Sequence, residues 1–199
     1  MGQYILYGQI ATFIIIIAYL PYIFSILKNR TKPNRTTWLV LFLIGVITFI
    51  TYKSLGANAT LGVALANVIG PLIIFLLSLK FGEGWKNISD FKYLIFSLIA
   101  IILWQTYKSA LVGLMFNLLA DFIAFIPTIK KSFSRPRTED LLTWCLFTVG
   151  NIINLFAIEQ WKFDIVIYPA YILFAEGIIA ILLLVSCFKK GKKLLTVLQ

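Results

Sequence analysis

Seven apolar runs take up almost the whole chain: 5–27, 36–53, 58–79, 91–107, 109–129, 141–158 and 163–188. A span of the hydrocarbon core needs about 20 mostly apolar residues. In lipid the backbone polar groups of such a run must be satisfied internally, which a helix does. The chain is 60% hydrophobic and only 13% charged, with a mean hydropathy of +0.92. Soluble domains carry about 45–50% apolar and roughly 25% charged residues. The spans leave no soluble domain over. The fold class read from this pattern is an all-α integral membrane protein with seven transmembrane helices. The first run is too long for a cleaved signal peptide and has no basic residue before it, so it reads as a retained helix.

The net charge of +10 invites a nucleic-acid reading, which the distribution of the charges rejects. The first, third and fifth loops and the C-terminal tail hold 15 of the 18 basic residues: Lys28, Arg30, Lys32, Arg35; Lys80, Lys86, Lys92; Lys130, Lys131, Arg135, Arg137; Lys189, Lys190, Lys192, Lys193. The second, fourth and sixth hold Lys53, Lys108 and Lys162. A surplus that alternates with every span is the positive-inside pattern. It predicts an outside N-terminus and an inside C-terminus, and it supports an odd number of spans. The basic surface is expected to meet anionic lipid heads. Short loops and the lack of a recognisable sorting motif favour a prokaryotic plasma membrane.

The chain also repeats itself. Ile17-Ala18-Tyr19-Leu20-Pro21-Tyr22-Ile23 is followed after thirteen residues by Thr37-Trp38. Ile123-Ala124-Phe125-Ile126-Pro127-Thr128-Ile129 is followed after thirteen residues by Thr143-Trp144. Ile and Ala matches are cheap in so apolar a chain, but the Pro and Thr-Trp matches at one ungapped offset of 106 are not. The offset maps span one on five and two on six, so three pairs with seven by order. Span four is the extra crossing that two like-oriented triplets require. The domains read as 1–80, the first three-helix repeat; 81–108, the linker helix; and 109–199, the second repeat with its basic tail. A membrane protein built from two like halves usually places a substrate path between them.

On these residues the chain resembles the SWEET, SemiSWEET and PQ-loop superfamily: a parallel 3+1+3 repeat, an outside N-terminus, and a proline late in the first helix of each triplet followed by a basic loop. The family's Pro-Gln pair is Pro21-Tyr22 in one half and Pro127-Thr128 in the other, so the glutamine is missing twice. The resemblance implies alternating-access carriage of a small polar solute, sugar-like foremost, with the prolines as gating elements. It also implies that a third-helix asparagine holds the solute, and Asn67 stands where that asparagine would be.

Some polar residues lie within the spans. Pro21 and Pro127 should kink their helices by removing a backbone bond. They read as static kinks or as hinges of an inner gate. Trp38 and Trp144 open the second helix of each half, as interfacial-belt anchors or as inner-gate aromatics. Gly62, Ala66 and Gly70 form a small-residue stripe that permits close helix packing, with Asn67 beside it. In the second half, Asn117 and Asp121 share one helix face, as do Asn151 and Asn154 and, nearly, Tyr168 and Glu176. Tyr171 lies on the same span as Glu176. Offset 106 turns Asn117, Asp121, Asn151 and Asn154 into Ala11, Ile15, Gly45 and Thr48, and sets Glu176 opposite Gly70. Six of the eight acidic residues sit in loops or at span ends; Asp121 and Glu176 do not. A charge at mid-bilayer costs at least ~2.5–3.5 kcal/mol. With no basic residues in the spans to match them, these carboxyls are expected to be neutral at rest or open to water. They form either a structural hydrogen-bonded network or, as preferred here, a solute or proton site.

These observations predict a secondary carrier or facilitator, with proton coupling through the intramembrane carboxyls as a further expectation. The substrate-binding set is Asn67, Asn117, Asp121, Asn151, Asn154, Tyr171 and Glu176, and the gating set is Pro21, Pro127, Trp38 and Trp144. A PQ-loop-type receptor or sensor without transport, or a carrier of an amino acid or vitamin, is the alternative. A retinal sensor would need a lysine within the last span, where Lys162 and Lys189 only flank it. Catalysis is unsupported: there is no histidine, which excludes histidine-based metal sites and Ser-His or Cys-His chemistry, and no phosphate loop is present. No cofactor or metal is expected. Cys145 and Cys187 read as small buried hydrophobes. The partners expected are the solute and membrane lipids, with a homo-oligomer left open.

Overall fold

The computed structural model describes residues 2–85, 110–197 and the isolated positions 92, 95, 99 and 102. Among them are six α-helices: α1 (Gly2–Leu27), α2 (Arg35–Ser54), α3 (Leu61–Phe81), α4 (Ala110–Ser134), α5 (Leu141–Phe156) and α6 (Phe163–Val197), with a 3-10 turn at Pro136–Thr138. No strand occurs among the described residues. Five of the helices, α1, α2, α3, α4 and α6, are long and apolar enough to cross a membrane. The sixteen residues of α5 rise about 24 Å, short of the roughly 30 Å hydrocarbon core. The chain is thus an all-helical integral membrane protein with five long spanning candidates and a shorter apolar helix. The run expected at 91–107 lies outside the described residues apart from those four isolated positions.

The outer surface explains why these helices need lipid. Phe13, Leu20 and Phe24 on α1, Leu76 on α3, Phe156 on α5 and Phe174 and Ile181 on α6 are all exposed. An apolar belt this wide has no place on a monomeric soluble protein. Cys187 is exposed within it and Cys145 is half-buried, so neither thiol is the fully buried hydrophobe expected; both are free. The helices run through their prolines, Pro21 in α1, Pro71 in α3, Pro127 in α4 and Pro169 in α6.

The packing respects the repeat. In one half α3 packs on α1 and on α2; in the other α6 packs on α4 and on α5. The halves join where α1 packs on α5 and, reciprocally, α2 on α4. Each of these three pairings has its counterpart at the 106-residue offset. The loops after α1 and α4 meet, since Lys32 N donates to Thr138 O at 3.1 Å. At the opposite end the Tyr52 hydroxyl of α2 donates to Ile165 O at the start of α6, at 2.8 Å. So α1 and α4 run the same way and carry Pro21 and Pro127 toward the same, basic end.

Close approach is written in small residues. A Cβ on Gly62 would strike Thr12, and one on Gly70 would fall inside the Tyr19 ring, so the predicted stripe of α3 is the face that meets α1. Gly45 lets α2 lie on the Asn67 carbonyl of α3, and Gly150 takes Ile15 of α1.

The repeat is also present where the sequence letters differ. Asn34 caps α2 by accepting from Thr37 N at 3.1 Å, and Asp140, 106 residues on, caps α5 by accepting from Thr143 N at 2.9 Å. Both satisfy a donor that the first turn leaves free. Asn34→Ala and Asp140→Ala are each expected to cost about 1 kcal/mol, measured by chemical unfolding in detergent. A loss below a few tenths at both would remove the caps from the account of why these helices start where they do.

Candidate functional site

A small cavity lies between the two halves, at the level where all six described helices converge. α1 contributes Tyr19; α2 Trp38, Leu41, Gly45 and Thr48; α3 Asn67; α4 Asp121 and Phe125; α5 Trp144 and Phe147; α6 Tyr168, Tyr171 and Glu176. Its volume is about 30 Å³, room for one or two waters.

Two hydrogen-bond groups make up its polar wall. The first crosses from half to half: the Tyr19 hydroxyl donates to Asn67 Oδ1 at 3.1 Å, and Asn67 Nδ2 donates to the Tyr168 hydroxyl at 3.3 Å. Asn67 is held in place because Gly70, one turn on, leaves space for the Tyr19 ring. The second group belongs to the second half. The Tyr171 hydroxyl donates to Asp121 Oδ2 at 2.6 Å, and Asn151 Nδ2 donates to Glu176 Oε2 at 2.5 Å. Both carboxyls are therefore held by neutral donors. Among the described residues no Lys or Arg pairs with either.

The expected binding residues thus divide. Asn67, Asp121, Tyr171 and Glu176 line the cavity, and Asn151 reaches it through Glu176. Asn117 and Asn154 are fully buried but do not line it, and neither side chain has a hydrogen-bond partner. A buried amide left unmade is costly, so these two are unexplained polar groups of the second half, as is the Ser132 hydroxyl. Pro21 and Pro127 stand outside the wall. Trp38 and Trp144 do line it and are only 2% and 1% exposed, which overturns the interfacial-belt reading. They are interior because the Tyr22 ring packs on both, at 5.2 and 6.3 Å between centroids.

Two features escaped the sequence. Tyr19 is one, although it sits in the repeated segment as the polar-tipped partner of Phe125; the offset could have marked it. The other is a buried charged plug at the basic end. α4 continues past the apolar run to Ser134, so Lys131 is helical and buried. It pairs with Glu139, whose carboxyl is fully enclosed. Glu139 Oε2 also accepts from the Tyr22 hydroxyl at 2.9 Å and from Trp144 Nε1 at 3.0 Å. Lys131 Nζ donates in addition to Lys32 O of the other half at 2.5 Å. Outside this lies the two-pronged Arg135–Glu83 pair, at 3.0 and 2.9 Å. Glu139 looked like an ordinary loop acid because nothing in the letters shows a loop folding inward.

Both ends of the cavity are therefore covered. Trp38, Trp144, Tyr22 and Glu139 close the basic end. At the other end the Tyr168 ring packs on Tyr52 at 5.0 Å, and Tyr52 is tied to Ile165 O and Thr60. The arrangement leaves a small space walled by carboxyl, amide, phenol and aromatic groups. No family model matches the chain, and neither a curated protein nor a solved structure does.

Proposed function

We propose that the protein is a secondary carrier of a small polar solute, a seven-span, SWEET-like 3+1+3 bundle working by alternating access. One observation carries the reading: a largely aromatic cavity with a carboxyl and amide wall at the junction of two like halves, lined by side chains from both and covered at both ends. A solute held there can leave only if one cover opens, and the pairing of each half's first helix with the other's second lets the halves rock against each other. The aromatic covers Trp38 and Trp144 act as gate elements at the basic end, which the charge pattern makes the inner one. Asp121 and Glu176 offer a route for proton coupling.

The test is flux into proteoliposomes of purified protein, over a panel of sugars, amino acids, amines and vitamins. Saturable uptake of one class is the expected result. Binding of a solute without any flux would replace the carrier by a receptor of the same fold. Cysteine labelling adds the topology: position 56 is expected outside and the tail inside, and finding both on one side would sink the seven-span arrangement.

A further inference from the structure

Resting on the carrier reading for its transport step, we infer that the cavity takes a small organic ammonium cation that carries no carboxylate of its own. Charge comes first. The wall holds two carboxyls, Asp121 and Glu176, and no basic group among the described residues. An ionised carboxylate enclosed away from water needs a neutralising partner. The partners that the protein itself supplies, Tyr171 and Asn151, are neutral donors.

The walls decide what kind of cation. Trp38, Trp144, Phe125, Phe147 and the three tyrosines present aromatic rings to the space. Rings attract an ammonium through their quadrupole, the more so when it is desolvated. They cannot replace the oxygen shell of an inorganic cation, which prefers hard ligands. A second polar group stands ready. Thr48 lines the cavity, is 2% exposed, and its Oγ1 has no hydrogen-bond partner. Its counterpart in the other half, Asn154, likewise lacks a partner but does not reach the cavity; in the wall the Trp38 indole N–H, a donor only, is also unpartnered, so Thr48 is the free acceptor there. A neutral sugar would leave the neutralisation of both carboxyls to protons alone. An amino acid would bring a carboxylate for which the described wall has no base. At about 30 Å³ the enclosed state holds an occupant of methylammonium size, and a larger amine requires the rings to part.

Among the described residues the titratable groups facing the carboxyls are Tyr19 from α1 and Tyr168 and Tyr171 from α6; α2, α3 and α5 contribute none to the wall. Neutralisation therefore falls to a proton when the site is empty of solute and to the ammonium when it is loaded. Cation and proton exchange for one another.

The experiment uses the full chain in proteoliposomes with an imposed potential, and in detergent for thermal-shift binding. The probes are methylammonium, choline, 1,4-diaminobutane, a neutral hexose, lysine and sodium. At least one of the three amines is expected to enter saturably, faster when the interior is negative, and to raise the melting temperature. Hexose, lysine and sodium are expected neither to enter comparably nor to compete. Uptake of hexose, lysine or sodium that the amines do not inhibit would overturn the cation inference while leaving the carrier reading intact. Amine binding without flux would overturn the carrier reading alone. Neither binding nor flux of any amine would overturn the cation inference whatever the hexose does.

Discussion

Lys131→Met is expected to destabilise the protein by about 3–5 kcal/mol, because it leaves the enclosed Glu139 carboxylate without its cation. Glu139→Gln should lose a comparable amount from the other side, stranding the Lys131 ammonium, although the new amide can still accept from Tyr22. The double variant Lys131→Met/Glu139→Gln removes both charges together and should recover a large part of the loss, since a buried pair replaced by neutral groups is often close to neutral. Chemical unfolding of the four proteins in one detergent gives the coupling directly. Additive losses would mean that the two groups do not depend on each other, and the plug would not be a unit. The consequence reaches beyond stability. Glu139 holds Tyr22 of the first half and Trp144 of the second through one oxygen, and Lys131 holds the Lys32 carbonyl. Opening the basic end must break at least the Tyr22 contact. The double variant is therefore expected to open this end more readily even where its stability is restored.

How much of this was legible in the letters depends on the kind of signal. Helices were legible because hydrophobic runs of spanning length have no other stable form in lipid, and for the six runs among the described residues the ends matched to within a few residues except where a helix continued through polar sequence. α4 is such a case: Lys130 to Ser134 read as loop, yet Lys131 is helical and buried because Glu139 folds back to pair with it. The repeat was legible from Pro and Thr-Trp, and it holds at the caps Asn34 and Asp140, where the identity had drifted but the acceptor had not. Half of the site was legible because a carboxyl or amide in an apolar run costs energy that demands a reason, which marked Asp121, Glu176 and Asn67. Tyr19 and Tyr168 were harder, since a phenol is amphipathic and costs little in hydrocarbon. Asn117 and Asn154 show the limit of the argument: both are as buried as the site residues, yet they do not reach the cavity. Periodicity gives the face of a helix, not what lies across from it.

Asp121→Asn and Glu176→Gln are each expected to cut solute uptake roughly 10- to 100-fold, the equivalent of losing one hydrogen bond to a charged group at about 1.5–3 kcal/mol. The substitutions are chosen to spare the fold. An amide oxygen at position 121 can still accept from the Tyr171 hydroxyl, which now bonds Asp121 at 2.6 Å, and one at position 176 can still accept from Asn151. Uptake in the unaltered protein should depend on external pH with a sign that identifies the coupling. If proton and ammonium exchange at one pair of carboxyls, acid outside supplies the competitor, and uptake falls as the external pH is lowered. If a neutral solute enters together with a proton, acid outside supplies a co-substrate, and uptake rises instead. Either variant should flatten the profile, because the group that both ligands share has been made unable to carry charge. A rise with acid would keep the carrier and discard the exchange. Wild-type flux and a wild-type pH profile in both variants would make Asp121 and Glu176 structural groups, bonded to Tyr171 and Asn151 to hold α4, α5 and α6 in register, and would leave an uncoupled facilitator.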